Sequence, residues 1–256
     1  MYKQLCEHIV ELEGMKNYPK SLYFSGDTAL LQRKKVSIVG TRKPSKYTRD
    51  TIAKVAKALG DVGVVVVSGG AMGVDAIAHH GAGGENTIAV LPCGIDLRYP
   101  AVNKNLLNDI ETNGLLLSQF DLGAKARPYS FVVRNELVVA LGEVLIVGEA
   151  ELESGTMRSV EYALSMGKKI YVLPHRLGES MATHKLLAQN QAEVIYDIEK
   201  FVTLFGDEVS KESDDFLEYC QHNPTYEEAL KKFPSRLFEA ELSGEIEVKN
   251  ARIYPL

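Results

Sequence analysis

The sequence predicts a doubly wound α/β fold with a mostly parallel sheet. Three observations support this prediction: six short apolar segments rich in β-branched residues, amphipathic segments between them, and glycines near the ends of the amphipathic segments. Strands that are apolar on both faces are typical of a parallel sheet covered by helices on both sides. Repeated strand–helix units of this kind form doubly wound sheets.

The predicted strands follow one another through the middle of the chain. Each is bounded by turn residues and contains almost no charge. They are Val36–Gly40, Val64–Ser68, Thr87–Pro92, Leu115–Ser118, Val144–Gly148 and Lys169–Pro174.

Five helical segments lie between these strands. They cover residues 47–61, 71–82, 103–114, 131–142 and 156–168. Four glycines near their ends predict helix stops in the left-handed conformation: Gly60, Gly114, Gly142 and Gly167. Between Met181 and Phe205 we expect a helix, a short strand and another helix, with Asn190 replacing a helix-ending glycine.

The chain divides by composition into two predicted domains. Residues 1–206 contain the α/β pattern, preceded by a short lead-in over residues 1–35, and the polar stretch 207–214 is predicted to be a linker. Residues 215–256 contain three short amphipathic segments and then the hairpin pattern "IEVKNARIYPL", which together predict a winged-helix-like domain. Its expected small core is Phe233, Leu237, Phe238 and Leu242.

Composition predicts a soluble globular protein. The 256 residues are 45% hydrophobic and 25% charged, and no apolar run reaches the roughly 18 residues of a membrane helix. The N-terminus does not resemble a secretory signal. Cys6, Cys93 and Cys220 are far apart, so neither a disulfide framework nor a zinc site is indicated. We therefore expect a cytoplasmic protein with no metal, no cofactor and no membrane partner.

Charge is unevenly distributed along the chain. The net charge is −5, but residues 33–49 contain seven basic and no acidic residues. Residues 207–256 contain twelve acidic and six basic residues, a balance of −6. In the third tail helix Arg236 stands against Glu239, Glu241 and Glu245. This balance favours a tail that binds protein, or packs on its own dimer, over one that grips duplex DNA.

Three glycine-rich or small-residue turns follow predicted strands. They are "GTRKPS" (Gly40–Ser45), "SGGAMG" (Ser68–Gly73) and "ESGT" (Glu153–Thr156). Such turns let a backbone approach closely, and the helix that follows favours an anion, typically a phosphate. The alternative is that they are ordinary tight strand–helix turns. Three turns at one sheet edge, with Arg42 and Lys43 in the first, favour phosphate binding.

Two common nucleotide sites are not indicated. The dinucleotide fingerprint G-x-G-x-x-G and the P-loop pattern are both absent from the sequence. No acid ends the strand at Thr87–Pro92 to hold a ribose hydroxyl. An NAD-dependent enzyme or a P-loop hydrolase is therefore disfavoured.

Five motifs in order resemble the DNA-processing protein A family, also called DprA or Smf. They are "VSIVGTRKPSKYTRD", "VVVVSGGAMGVDAIAHHGA", "TIAVLPCGIDLRYPAVNKNL", "FVVRNELVVALGEVLIVGEAELESGT" and "KKIYVLP". The resemblance runs from about Tyr18 to Phe205, and the tail resembles the winged-helix domain often appended in the family.

The resemblance implies an extended Rossmann-like fold that dimerises and binds single-stranded DNA in the cytoplasm. It also implies protection of incoming DNA during natural transformation, loading of the RecA recombinase and no established catalytic step. Three family motifs fall on Gly40–Arg42, Ser68–Asp75 and Phe131–Asn135. With the turns, the expected DNA-binding residues are Gly40, Thr41, Arg42, Lys43, Ser45, Ser68, Gly69, Gly70, Met72, Gly73, Arg127, Phe131, Arg134, Asn135, Gly155 and Thr156.

The chain departs from the family pattern in three places. Glu136 stands where the family usually has an arginine, and Pro128, next to Arg127, stands where a basic residue is common. After the strand ending at Pro174, His175, Ala182 and His184 lie in or near the positions of the family's Gly and G-x-N motif.

Several of these residues have a structural alternative. Arg42 could be a surface arginine, Phe131 could stack on a base or lie in the core, and Arg134 could contact DNA or form an ion pair with Glu136 or Glu149. Asp75 is expected to accept hydrogen bonds from the glycine turn. His79 and His80 are expected to be structural.

A second class of function is an enzyme on a related sheet. The lysine-decarboxylase-like nucleoside-phosphate ribohydrolases have the motif P-G-G-x-G-T-x-x-E, whose glutamate acts on the ribose. Here Gly155 and Thr156 match, but Ser159 stands at the glutamate position. Glu161 is two residues late, which on a helix turns it about 200° away.

Overall fold

The computed structural model describes residues 2–206, 215–220, 222–249 and 251–255. The chain divides into two compact units, residues 1–207 and 208–256. The predicted linker, residues 207–214, lies outside the described residues. The assignment of the tail as a winged-helix-like domain stays a prediction.

Within the described part of the first unit, nine strands form one sheet. Their bounds are β1 Lys3–Gln4, β2 Tyr23–Gly26, β3 Lys35–Val39, β4 Val65–Ser68, β5 Thr87–Val90, β6 Leu115–Ser118, β7 Leu145–Val147, β8 Ile170–Val172 and β9 Glu193–Val194. The strand order is β1-β2-β6-β5-β4-β3-β7-β8-β9. In the part of the sheet that runs β6-β5-β4-β3-β7-β8-β9, all neighbouring strands are parallel. The predicted mostly parallel sheet is therefore confirmed.

The N-terminal lead-in, residues 1–35, adds two strands to the sheet. β2 pairs antiparallel with β6, placing Phe24 opposite Leu117, and β1 pairs antiparallel with β2. Neither strand was predicted from the sequence, because β2 pairs with β6 about ninety residues away, and β1 joins the sheet only through β2. Only the tertiary fold brings the two segments together.

Seven helices of the first unit cover the two faces of the sheet within residues 2–206. Their bounds are α1 Lys46–Asp61, α2 Val74–Ala82, α3 Lys104–Asn113, α4 Pro128–Leu141, α5 Thr156–Ser165, α6 Met181–Ala188 and α7 Ile198–Val202. Alternate residues of β4 point to opposite faces, as the strand period requires: Val65 and Val67 pack in one core, and Val66 packs in the other. Helices on both faces confirm the doubly wound α/β class.

The four predicted glycine stops have different roles. Gly167 has φ +66°, and Asn190 has φ +54°, so the left-handed stop is confirmed at both. The prediction is wrong at Gly60, which lies inside α1, and at Gly114 and Gly142, whose φ values are −124° and −82°. A Cβ at these three positions would lie within 2.6 Å of protein atoms, so they are glycines for close packing.

The topology places a crevice between β3 and β7. From β3 the chain winds outward through β4, β5 and β6, and then returns to add β7 on the other side of β3. The connections after β3 and β7 therefore leave the sheet toward opposite faces. A crevice at the carboxyl ends of such strands is the usual ligand site of an open α/β sheet.

The second unit has the element order expected from the tail sequence. It contains α8 Asp215–Cys220, α9 Tyr226–Lys232, α10 Pro234–Ser243 and a hairpin of β10 Ile246–Lys249 with β11 Arg252–Pro255. Leu237 is buried and Phe233 partly buried, as expected, whereas Phe238 is 53% exposed. The residue after Leu237 lies about 100° around the helix from it, which takes Phe238 off the core face. The side chain of Leu242 lies outside the described residues.

No helix in the described part of the chain is long and apolar enough to cross a membrane.

Candidate nucleic-acid interface

A groove of about 530 Å³ lies at the β3–β7 crevice. The turn after β3, the turn before α5 and one face of α4 form its walls. Its lining residues are Val39, Gly40, Thr41, Arg42, Lys43, Ala71, Asp75, Phe131, Arg134, Asn135, Ser154, Gly155, Thr156 and Ser159. The turns Gly40–Ser45 and Glu153–Thr156 therefore meet the F-x-x-R-N segment in one groove. The remaining turn, Ser68–Gly73, contributes Ala71.

A buried ion pair lies at the base of the groove. Arg134 is only 4% exposed, and its Nη1 lies 4.0 Å from Asp75 Oδ2 and donates to Val90 O at 3.2 Å. Asp75 Oδ2 also accepts from Gly69 N at 3.2 Å and Ala71 N at 3.4 Å. The expected acceptor role of Asp75 is confirmed. The partner of Arg134 is Asp75 rather than Glu136 or Glu149.

Two buried donors in the groove have no hydrogen-bond partner in the described structure. They are Arg134 Nε and Ser154 Oγ. Burial raises the pKa of Asp75 above its ordinary value, against the opposing effects of Arg134 and the turn amides. An unpaired buried donor costs about 1–3 kcal/mol, so a ligand with acceptor oxygens would relieve this cost. The groove base is therefore suited to an anion.

An aromatic edge borders the groove. The Arg42 guanidinium carbon lies 5.5 Å from the centroid of the Phe131 ring, and the Tyr99 ring makes a T-shaped contact with Phe131 at 5.6 Å. A small cavity of about 30 Å³ lies here, lined also by Met72 and Pro100. Phe131 thus borders the groove and does not lie in the core. The geometry provides an aromatic surface beside a cation.

Tyr99 was not among the residues predicted from the sequence. It lies in the loop after β5, which ends at the same sheet edge as the three turns. An aromatic residue in a loop that follows a strand's carboxyl end was the available signal. What the sequence did not indicate is that this loop reaches α4.

The bare turns have a second physical reason besides phosphate binding. A Cβ on Gly69 would overlap the Arg134 guanidinium, one on Gly73 would lie 2.6 Å from Arg42 C, and one on Gly40 would lie 2.6 Å from Val74 Cγ2. Gly155 differs, because no atom of the described residues lies within 4 Å of its Cβ position. Close packing therefore favours glycine at these three positions, whereas the space beside Gly155 is open within the described structure.

Most of the predicted site residues line the groove or its aromatic edge. In the groove are Gly40, Thr41, Arg42, Lys43, Phe131, Arg134, Asn135, Gly155 and Thr156, and at the edge are Gly69 and Met72. The remaining five have other surroundings. Ser68 donates to Ile38 O, Gly70 O accepts from Asn103, Gly73 packs on the β3–α1 turn, Arg127 is exposed before α4, and Ser45 caps α1.

The departures from the family pattern have structural roles. Glu136 Oε1 accepts from the backbone N of Lys16 at 2.7 Å and so ties α4 to the lead-in. Pro128 is the first residue of α4, a position where proline has no cost to the helix. His175 Nε2 lies 2.8 Å from Gly148 O and joins the loop after β8 to the end of β7.

Of the two adjacent histidines, His79 has a structural role. His79 is buried, and its Nδ1 lies 2.6 Å from Thr87 Oγ1, which itself donates to Val66 O at 3.0 Å. Because the threonine proton is used, His79 Nδ1 is the donor and Nε2 carries no proton. In the described part of the chain, no cluster of three or more His, Cys, Asp or Glu side chains could hold a metal ion.

The fold and the groove define a class: a doubly wound α/β protein whose crevice combines an aromatic edge with arginines and unpaired donors. Comparison with known families agrees. The chain belongs to the DNA recombination-mediator protein A family, whose model matches residues 3–206. The match covers the first unit and ends before the predicted linker.

Similar structures and sequences include several DNA processing proteins. The structure of DNA processing protein A from Helicobacter pylori, described by its single-stranded DNA binding mode, has a TM-score of 0.78 and 40% identity. The superposition covers 79% of this chain and 94% of the Helicobacter pylori chain. The DprA structure from Streptococcus pneumoniae has a TM-score of 0.73 and 29% identity, covering 81% of this chain and 74% of that one.

The curated relatives are longer than the part that matches. DNA processing protein DprA of Streptococcus pneumoniae is 33% identical over 70% of this chain, and Protein Smf of Synechocystis is 36% identical over 67%. The matches span 64% and 44% of these relatives' own lengths.

Proposed function

We propose that the first unit binds single-stranded DNA along the groove at the β3–β7 crevice. The observation that supports this most is the Arg42 guanidinium 5.5 Å from the Phe131 ring, beside two unpaired buried donors. A base would stack at the aromatic edge while its phosphate meets the turn at Gly40–Lys43. A duplex keeps its bases stacked on one another, so this arrangement suits a single strand.

Binding of this kind tolerates many sequences. Every base has a π-face, and stacking on an aromatic ring is worth about 1–3 kcal/mol per base by alanine substitution. Phosphate contacts add affinity without reading the sequence. The groove would therefore distinguish single from double strands more strongly than it distinguishes one sequence from another.

The biological role proposed with this activity is DNA recombination and natural transformation. The protein would act in the cytoplasm as a homodimer, protect incoming single strands and help load a RecA-type recombinase. It would do so by binding, without a catalytic step, metal or cofactor. The family membership and the names of the relatives support this role.

The test is single-strand binding by wild-type protein and the Arg42→Ala variant. Arg42→Ala should weaken binding by a similar factor across sequences. The magnitude of the slope of log K against log salt should fall by about 0.7, the value for one lost phosphate contact on a single strand. Lys54→Ala is a matched control, since Lys54 is also an exposed cation, on α1 but outside the groove.

Gel shifts with single- and double-stranded DNA of equal length complete the test. We expect tighter binding of the single strand. Equal binding of both forms, with unchanged affinity and salt slope in folded Arg42→Ala, would reject the proposal.

The ribohydrolase alternative is disfavoured by the position of its glutamate. Glu161 is exposed and forms a surface ion pair with Arg158 at 2.8 Å, while Ser159 lines the groove. Of the described residues that line the groove, Asp75 alone has a carboxylate, and it is held by the turn amides. Release of free base from nucleoside monophosphates by the purified protein would support this alternative.

A further inference from the structure

A second groove, of about 500 Å³, lies at the same edge of the sheet. It is lined by Ser45, Tyr47, Pro174, His175, Arg176 and Glu179. The turn after β3 separates the two grooves, because Gly40–Lys43 line the first and Ser45 lines the second. This also explains why Ser45, predicted for the phosphate site, does not line the first groove.

The aromatic residue of the second groove is held in place. The Tyr47 ring is 42% exposed and makes a T-shaped contact with His175, with centroids 5.7 Å apart and ring planes at 82°. His175 is fixed in turn by its contact with Gly148 O at 2.8 Å. A T-shaped contact covers at most one face of the tyrosine ring, so a face remains for stacking.

The charged groups of the second groove are mixed in sign. Arg176 is exposed and lines the groove together with Glu179. The second groove therefore has an exposed arginine, Arg176, among the residues that line it together with Tyr47, as the first groove has Arg42 together with Phe131.

We propose that the second groove is a further single-strand subsite, in which a base stacks on Tyr47 and a phosphate meets Arg176. The inference rests on the proposed function of the first groove. Its basis is repetition: each groove pairs one aromatic ring with one exposed arginine, and a single strand repeats base and phosphate at every step. A strand that fills the first groove would continue across the β3–α1 turn into the second.

The experiment uses the full chain and fluorescence anisotropy with labelled oligothymidylates that lengthen one nucleotide at a time. The shortest strands that bind would occupy the first groove alone, so Tyr47→Ala and Arg176→Ala should bind them like wild type. Beyond a threshold length, wild type should gain affinity that Tyr47→Ala lacks, by about 5- to 150-fold, as expected for one stacked base. Tyr47→Phe should keep the gain because it keeps the ring.

The variants separate this inference from the proposed function. Arg42→Ala should weaken binding at every length, and Lys54→Ala at none. Arg176→Ala changes an exposed side chain, so it tests the subsite even if Tyr47→Ala does not fold. The inference is overturned if Tyr47→Ala and Arg176→Ala match wild type at all lengths, or lose the same factor at all lengths, while Arg42→Ala is weakened. Unchanged binding by Arg42→Ala overturns both proposals.

Discussion

The substitution Gly69→Ala tests why the turn after β4 is bare. Gly69 has no positive φ, so alanine meets no backbone strain there, and the effect comes from space alone. An ideally placed Cβ would lie 1.5 Å from Arg134 Nη1 and 2.2 Å from Arg134 Cζ. The guanidinium would have to move by about 2 Å to reach an ordinary contact distance of about 3.5 Å.

Such a shift would separate the buried groups that hold the groove base. Arg134 Nη1 would leave Val90 O, now at 3.2 Å, and move away from Asp75, now at 4.0 Å. Breaking a buried ion pair costs about 3–5 kcal/mol, because a charge is left without compensation. Taking about 3 kcal/mol, the melting temperature of a unit of this size should fall by about 6–12 °C.

Thermal unfolding followed by far-UV circular dichroism measures this effect. Gly155→Ala is the matched control, because Gly155 is in the right-handed helical region and its Cβ position has no atom of the described part of the chain within 4 Å. It should unfold within about 1 kcal/mol of wild type, or be slightly more stable. If Gly69→Ala melted together with Gly155→Ala, Arg134 would have room to relocate, and the packing explanation of the turn would be wrong.

Three further predictions concern pH, the lead-in and the tail. Burial lowers the pKa of His79 to about 3. Between pH 7 and pH 5 the unfolded state therefore takes up a proton on this side chain while the folded state does not. The free energy of unfolding should fall by about 2 kcal/mol over this range. Denaturant titrations at both pH values should show a smaller fall in His79→Gln. Glu136→Ala should lower the free energy of unfolding by about 1 kcal/mol, because it removes the acceptor of the Lys16 amide, and Glu136→Gln should lower it clearly less, because it keeps an acceptor oxygen. Equal losses for the two variants in urea unfolding would show that the charge of Glu136 matters and the hydrogen bond does not. A chain ending at Gly206 should keep its single-strand affinity and lose little duplex affinity in gel shifts, because residues 207–256 have a balance of −6; a large selective loss of duplex binding would make the tail a DNA-binding module.

The tail shows how local charge and tertiary contact combine. Arg236, the arginine of the predicted third helix, forms an ion pair with Glu245. Its charge is therefore matched within the second unit. This supports the prediction, made from the acidic balance, that the tail binds protein or packs on its own dimer.

The sequence by itself determined strands β3 to β8 and the helices between them, but not β1 and β2. Strands β3 to β8 lie within a residue or two of the predicted segments, because runs of buried β-branched residues have few other stable conformations. The hydrogen-bonding role of Asp75 was also predictable, because its partners Gly69 and Ala71 lie within six residues of it. Local signals suffice where the interacting groups are close in the chain.

Tertiary structure alone decided which distant residues meet. Arg134 pairs with Asp75 across 59 positions, Tyr99 reaches Phe131, and β2 pairs with β6. The turn Gly40–Ser45 predicted one phosphate site for Arg42 and Ser45, yet these two residues line different grooves. Such contacts depend on strand order and on the direction in which each loop leaves the sheet, and neither is encoded in the spacing of residues along the chain.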